Sequence, residues 1–499
     1  MIRFTKLCAV LGASEERSKA YMEIRRRVPQ MSNNEMCQPR KSYVKKILEW
    51  GAYALVFLLP WQTVWIIQQK MIGRTGTSFE GVWQYGTTRL YAIEGLIVFL
   101  MLVVVCGAVR TIYIRGDVRA ALGTWYRSRL FYLDGCLVLF LVLSLCSIVW
   151  APDRIVAIMT AFRILEGIFL FVLFRTLQFR TPLLVSFALG GVVLQGVLGS
   201  VQFLMQGISA STLLGIATHD PATLGDAVVQ AGDRRWLRAY GAFPHPNILG
   251  AYLVVGMVVC ARALSCARKK WQWVLLLISS QIIFVGMLFT FSRSAWLALV
   301  TAGTVWAILF LLHRRGRGSP TDVAGALPAR DHDVVVNPLA LLVFISVLTA
   351  GMFGTYFFDE IRGRVGVQPS RLERQSIDER VSSIFRAMPL LKETWYRGTG
   401  IGNFTNALFL FEQKRDIDKE WYSYQPLHNV FFMIFAELGI LGVVFICLIL
   451  FLFIRLLSST SYLLPSVLLV LSLFDHFLWT LPFGIFFGAL VLGRCYFRE

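Results

Sequence analysis

Apolar residues in this chain come in long unbroken blocks, and the polar residues are gathered between the blocks rather than interleaved at a helical or alternating period. Blocks of about 17–25 apolar residues are the length that crosses a bilayer as a helix. Twelve such blocks lie near 47–68, 90–109, 130–150, 155–177, 183–206, 247–263, 272–291, 295–313, 338–357, 429–457, 462–480 and 482–497. The run 271–313 is interrupted only by Ser292-Arg293-Ser294, which reads as a tight turn between two helices, and Glu437, Gly439 and Gly442 mark a bend in 429–457. No internal repeat is evident, and the charged segment 314–336 reads as a flexible linker. The pattern predicts an all-α integral membrane protein of about 12 transmembrane helices, with one long extracytoplasmic loop, 358–428, between helices 9 and 10. Its parts are a basic cytoplasmic arm at 1–46, helices 1–5 at 47–206, a second region at 207–480 that includes the long loop, and the last helix with the C-terminus at 481–499.

Composition agrees with this reading. Of 499 residues 56% are hydrophobic and 16% charged, with mean hydropathy +0.61, so the apolar content faces lipid instead of filling one soluble core. A net charge of +19 suggests nucleic acid at first sight, but the basic residues fall in short blocks between spans, as orientation by the positive-inside rule requires. Loops that parity places inside carry Arg110, Arg115, Arg119, Arg127 and Arg129, then Arg268, Lys269 and Lys270, then Arg314, Arg315 and Arg317. Loops 207–246 and 358–428, placed outside, are mixed in charge. Both termini are then expected in the cytoplasm, with the protein in the cytoplasmic (inner) membrane. The apolar patch at 7–12 is too short for a signal-peptide core. None of the nine cysteines falls in the two long outer loops, so neither a disulfide framework nor a Cys/His metal site is expected.

Four elements bearing arginine or histidine then share the outer face. They are Arg238-Ala-Tyr-Gly-Ala-Phe-Pro-His245-Pro-Asn247-Ile-Leu-Gly250, Thr290-Phe-Ser-Arg293-Ser-Ala-Trp296, the loop residue Arg380, and His428-Asn429. Guanidinium groups give planar, bidentate contacts to phosphate oxygens, and a histidine nearby can take a proton from an attacking hydroxyl. The set suits a diphosphate carried on a lipid. Plainer readings stand beside this one: Arg293 and Arg380 as interface anchors, His428 and Asn429 as helix caps, His245 as a turn residue, and Gly398, Gly400 and Gly402 as a tight turn whose amides could also meet phosphate. Arg163 and Glu166, three apart in the fourth span, are expected to pair. Asp475-His476, deep in the eleventh, is expected to make interhelical hydrogen bonds, or a proton relay if the chain is a transporter.

The segments Gly-Ala-Phe-Pro-His-Pro-Asn-Ile-Leu-Gly, Thr-Phe-Ser-Arg-Ser-Ala-Trp, Gly-Thr-Gly-Ile-Gly-Asn-Phe and His-Asn-Val-Phe-Phe-Met-Ile-Phe-Ala-Glu-Leu-Gly occur in that order over 238–480. Together they resemble the O-antigen ligase and polymerase family of bacterial membrane glycosyltransferases. That resemblance implies a GT-C-like, metal-independent, inverting enzyme without a cofactor, moving a glycan from undecaprenyl diphosphate to a glycan, lipid or protein acceptor. It matches Arg293 and Arg380 to the arginines that hold the diphosphate and His428 to the residue that activates the acceptor. Arg238, Asn247, Arg386, Gly400, Gly402 and Asn429 are expected to line the substrate site. The long arm and the longer linker after the eighth span depart from the family. Ligase, polymerase and protein O-oligosaccharyltransferase share these motifs, and a transporter or flippase is the alternative from another class. Partners are the lipid-linked donor, the acceptor and the bilayer, with no nucleic acid.

Overall fold

The structure, a computed structural model, describes residues 38–72, 80–115, 131–316, 337–366, 371–417, 419–457 and 462–496. Most of the basic arm, the segment 116–130 and most of the expected linker, 317–336, lie outside the described residues. Its helices are α1 (Gln38–Leu58), α2 (Ala92–Arg115), α3 (Phe131–Cys146), α4 (Arg154–Thr176), α5 (Thr181–Met205), α6 (Pro246–Cys266), α7 (Lys270–Phe289), α8 (Arg293–Gly316) and α9 (Pro338–Tyr356). The long loop holds α10 (Phe358–Arg364), α11 (Arg371–Thr394) and α12 (Phe404–Gln413), followed by α13 (Val430–Leu457), α14 (Leu463–Phe474), the short α15 (Phe477–Thr480) and α16 (Pro482–Tyr496). Among the described residues, those up to Trp50 belong to one compact unit and those from Gly51 onward to a second.

Among the described residues, α2, α4–α9 and α13 are long and apolar enough to cross a membrane, while Leu133–Val149, α14 and α16 are shorter apolar helices. The protein is therefore a mostly helical, multi-pass membrane protein. The figure of about twelve full spans needs correction at two places. The block 47–68 does not continue as helix: α1 stops at Leu58, just before Pro60, which lacks an amide donor. The β-branched and aromatic run that follows becomes strand β1 (Val64–Gln68), paired antiparallel with β4 (Thr88–Tyr91) so that Val64 faces Tyr91. A minor pair, β2 (Met71–Ile72) with β3 (Gly81–Val82), lies between them in sequence. The block 462–480 is broken, because Asp475 is extended (φ −150°, ψ 160°) and ends α14. A third hairpin, β5 (Val228–Ala231) with β6 (Arg234–Leu237), stands in the loop before α6.

Helices α5, α6 and α7 pack on one another, α9 on α7, α8 on α14, and α4 on α16. Contacts among the described residues tie several of the connections to one another. Lys70 pairs with Asp153; Trp83 Nε1 donates to Thr405 Oγ1 at 2.9 Å; Asn403 and Asp153 exchange hydrogen bonds of 2.8 and 3.1 Å. Trp236 Nε1 donates to Glu360 Oε1 at 3.2 Å, and Ala239 N to Phe289 O at 3.0 Å. A buried core beneath the long loop, including Ile401, Phe404, Leu427, Met433 and Ile434, ties α12 and α13 to the start of α4.

Candidate functional site

Three chain breaks bring the site together. The first precedes α6, where the His245-Pro246 step starts the helix: His245 Nδ1 accepts from Asn247 N at 3.1 Å, and Pro246 occupies a position that needs no amide donor. Arg238, 5% exposed, reaches back from β6 and is fixed at both ends of its guanidinium. Its Nε donates to Thr290 O at 2.6 Å and its Nη2 to Asn247 Oδ1 at 2.7 Å. His245 is therefore a turn and cap residue, and burial holds its imidazole down at about 3.

The second break is the Ser292-Arg293-Ser294 turn. Arg293 opens α8 and ion-pairs with Glu373 on α11. Arg364, at the end of α10, pairs with the same carboxylate at 2.7 Å. One buried glutamate thus anchors two guanidiniums. Arg380, about two turns further along α11, has no ion pair or side-chain hydrogen bond among the described residues, yet lies in the electrostatic field of Asp475, Arg293 and Glu373. Burial disfavours its charge, Asp475 offsets part of that effect, and Arg293 adds to it. Arg238, Arg293, Arg364 and Arg380 act on one another electrostatically. Their carboxylate partners, Glu373 and Asp475, are too few to neutralise them.

The third break is at Asp475-His476. Asp475 Oδ1 accepts from the amides of His476 (2.7 Å) and Phe477 (3.4 Å), and its Oδ2 from Asn247 Nδ2 at 3.3 Å. His476 Nδ1 meets Thr480 Oγ1 at 2.7 Å. His428, just ahead of α13, brings its ring to 5.3 Å from that of His476, and ligand-type atoms of His428, Asp475 and His476 lie within 4.8 Å of one another. His428 Nδ1 is buried without a hydrogen-bond partner. Burial first, then the His476 and Arg380 charges against the opposing pull of Asp475, push this imidazole down to about 4. It is neutral at neutral pH, as a proton acceptor must be.

The structure therefore joins Arg238, Asn247, Arg293, Arg380 and His428 around one locus and adds Arg364, Glu373, Asp475 and His476. The Asp475-His476 pair had a sequence signal, two ionisable residues inside an apolar run, but its place beside His428 required the broken helix. Arg364 had none. The absence of a metal-type cluster expected from cysteine and histidine spacing also needs revision, since His428, Asp475 and His476 form such a group. Their surroundings favour anions over cations: Asp475 is already engaged by two amides and Asn247, and guanidiniums stand close by.

Other expected residues serve the scaffold. Arg386 grips Glu412 with two hydrogen bonds of 2.5 Å, donates to Ser423 O at 3.0 Å and lies 4.7 Å over the Tyr424 ring. Asn429 caps α13 through Phe432 N (3.0 Å) and donates to Leu473 O (3.0 Å). The glycine loop does not present a free phosphate nest. Gly439 (φ 61°, ψ −144°) kinks α13 and frees the carbonyls of Ala436 and Glu437, which accept Thr399 N and Gly400 N at 2.9 Å each. The Glu437 carboxylate takes hydrogen bonds from the backbone of Gly402 and Phe404 and from Trp479 Nε1 at 2.8 Å. Gly400 and Gly402, both at positive φ, are pressed against Ala151 and Thr160. The anion these amides meet is the protein's own glutamate. The expected Arg163–Glu166 pair is likewise replaced: Arg163 Nε bonds Glu94 at 2.8 Å, while both Glu166 carboxylate oxygens are buried without a partner.

Residues 276–447 match the family model described as O-antigen ligase, and no curated protein matches the chain. The matched segment contains Arg293, Arg364, Glu373, Arg380 and His428. Arg238 and Asn247 lie before it and Asp475 and His476 after it.

Proposed function

From the O-antigen ligase family that residues 276–447 support, a family of membrane glycosyltransferases, we propose that the protein transfers a glycan from undecaprenyl diphosphate to an acceptor hydroxyl on the extracytoplasmic face of the inner membrane. The observation that carries this reading is the meeting of four arginines with a neutral, unpartnered histidine at one end of the helices. The surplus of guanidinium charge suits a diphosphate diester, and partial burial strengthens the attraction. Arg380 is the arginine with no competing partner, and Arg293 and Arg364 are held in place by Glu373. On α11, Val381, Phe385 and Met388 follow Arg380 at helical spacing and are exposed, so the arginine borders an apolar surface suited to a lipid chain. Such a cluster at the end of a bundle argues against a transporter, whose site is expected near the midplane.

In the proposed step, the acceptor oxygen attacks the anomeric carbon from the side opposite the diphosphate. The carbon–oxygen bond to the diphosphate breaks and its electron pair stays with the leaving group, held by the arginines. The hydroxyl proton passes to His428, and the anomeric configuration inverts. No step requires a metal.

The test measures donor binding and transfer separately in purified variants. Arg380→Lys should fail to restore donor binding, because a point charge does not reproduce a planar fork. His428→Ala should bind donor normally and transfer about 10²–10⁴-fold more slowly. Wild-type transfer by His428→Ala would remove the base assignment.

A further inference from the structure

Helix α11 carries two chemistries along one face. Its inner side is fixed, because Ala387, Leu390 and Leu391 are buried in the core beneath the long loop and Arg386 is pinned to Glu412. The opposite side is exposed, and residues three and four apart along it make one stripe: Arg374, Asp378, Val381, Phe385 and Met388. Up to Asp378 the stripe is charged. From Val381 it is apolar, with Phe385 71% exposed, and exposed Trp395 and Tyr396 continue it just past the end of the helix. The change falls at Arg380. Single exposed apolar side chains are ordinary, but a run of them at helical spacing on one side of a helix marks a surface that meets something other than water.

Helix α13 supplies the depth of the lower end of this stripe. Hydropathy extends the span from Val430, yet Met433, Ile434, Ala436, Glu437 and Leu438 are covered by protein. Exposure begins beyond the Gly439 kink, with Ile440, Leu441 and Val444. From Ile440 to the helix end at Leu457 the chain covers roughly 27 Å, close to the ~30 Å hydrocarbon core of a bilayer. The lipid-facing part of α13 therefore starts at the kink. The end of α11 meets that same point: a Cβ on Gly439 would lie 2.6 Å from Gly398 N and 2.7 Å from Arg397 N and Tyr396 C. Trp395 and Tyr396 stand at this boundary, the depth at which amphipathic rings gather in membrane proteins. Arg397, its guanidinium 5.6 Å from the centre of the Tyr396 ring, and Lys392 are both exposed beside them and suit headgroup phosphates. The apolar stripe of α11 is thus continuous with the lipid-facing surface of α13.

We propose that α11 enters the surface of the bilayer obliquely. Its C-terminal half, with Val381, Phe385, Met388 and Trp395, lies among the lipid headgroups and upper acyl chains, while the charged half that begins at Arg371 stays in water. The partner of this face is the lipid surface itself. Arg380, at the seam, is then held at headgroup depth, the level at which a lipid-linked diphosphate presents its phosphates. The inference rests on the multi-pass membrane character of the chain and not on the transferase reading.

The experiment uses the full-length protein in nanodiscs of phosphatidylcholine and phosphatidylglycerol, free of polyprenyl lipids so that no donor chain supplies the apolar contact. p-Acetylphenylalanine replaces Asp378, Phe385 or Met388, one at a time, and carries a ketone-directed nitroxide, which leaves the native cysteines alone. Collision with oxygen, which concentrates among acyl chains, is compared with collision with a water-soluble nickel chelate. The labels at Phe385 and Met388 should favour oxygen and the label at Asp378 the chelate, so the logarithm of the ratio changes sign across Arg380. The Met388 position decides the matter if the Phe385 replacement does not fold. A label at Phe385 as open to the chelate as the one at Asp378 places the stripe in water and overturns the proposal. Shielding from both reagents places it against another protein or a second copy, and oxygen preference at Asp378 removes the oblique entry; either result overturns it as well. Undecaprenyl diphosphate binding is then measured on unlabelled protein in the same nanodiscs. Its absence would sink the transferase reading while leaving the depth of α11 as measured.

Discussion

Asn247 donates its side-chain amide to the carboxylate of Asp475 at 3.3 Å, across 228 positions of sequence. The same asparagine accepts from Arg238 at 2.7 Å. One side chain therefore connects the arginine group to the histidine pair, and it does so from the first turn of α6 to the break that ends α14.

This connection makes Asp475→Asn informative, because it keeps the shape and removes the charge. The Asp475 carboxylate opposes the downward shift of His428, so without it the imidazole should titrate still lower and be a weaker base. The acid limb of the kcat/KM profile should move to lower pH, with transfer at neutral pH slowed about tenfold or more. An unaltered rate and profile would reduce Asp475 to a tie between helices.

Arg380→Gln should act on His428 in the opposite direction. Arg380 is one of the positive charges that depress the imidazole from its ordinary value to about 4, so removing it should raise the titration midpoint, read from the histidine ring protons by NMR. Bound diphosphate should have the same sign of effect. The acid limb of kcat should accordingly lie at higher pH than that of kcat/KM. Coincident limbs would place the diphosphate away from His428.

Transfer should persist in a chelator. The guanidiniums can neutralise the diphosphate, and the His428, Asp475 and His476 group stands among positive charges. Loss of activity in EDTA that returns with Zn²⁺, Mn²⁺ or Mg²⁺ would reassign those three side chains as ligands.

Gly398→Ala should destabilise the fold without touching the site directly. Gly398 has φ +72°, and a Cβ there would collide with the backbone of Glu437, while Gly439 opposite packs on the amide of Gly398. A non-glycine residue at such a φ costs on the order of 1–3 kcal/mol before the collision is counted. Thermal unfolding in detergent should show the loss. An unchanged midpoint would mean that the loop and the kink are not interlocked.

Much of this protein was legible in its sequence because lipid imposes a simple rule. With no water to satisfy backbone groups, a span must be a continuous apolar helix, and length with hydropathy reveals it. That logic located α2, α4–α9 and α13 and anticipated the Gly439 kink. The resemblance of the motif segments, rather than local chemistry, singled out His428, Arg380 and Arg293. Hydropathy could not see that the run at 462–480 breaks at Asp475 or that 64–68 leaves the helix for a hairpin, since both segments are apolar enough to pass as spans. Nor could it assign partners. Whether an arginine is free, like Arg380, or spent, like Arg386 on Glu412, depends on carboxylates brought near by folding. The glycine loop illustrates the same limit: its spacing suits a phosphate nest, and only the kinked α13 fills it with Glu437. The tertiary structure alone decided which charges are neutralised, because pairing follows distance in space, and it selected Arg238, Arg293, Arg364, Arg380 and His428 from the many basic residues the sequence offered.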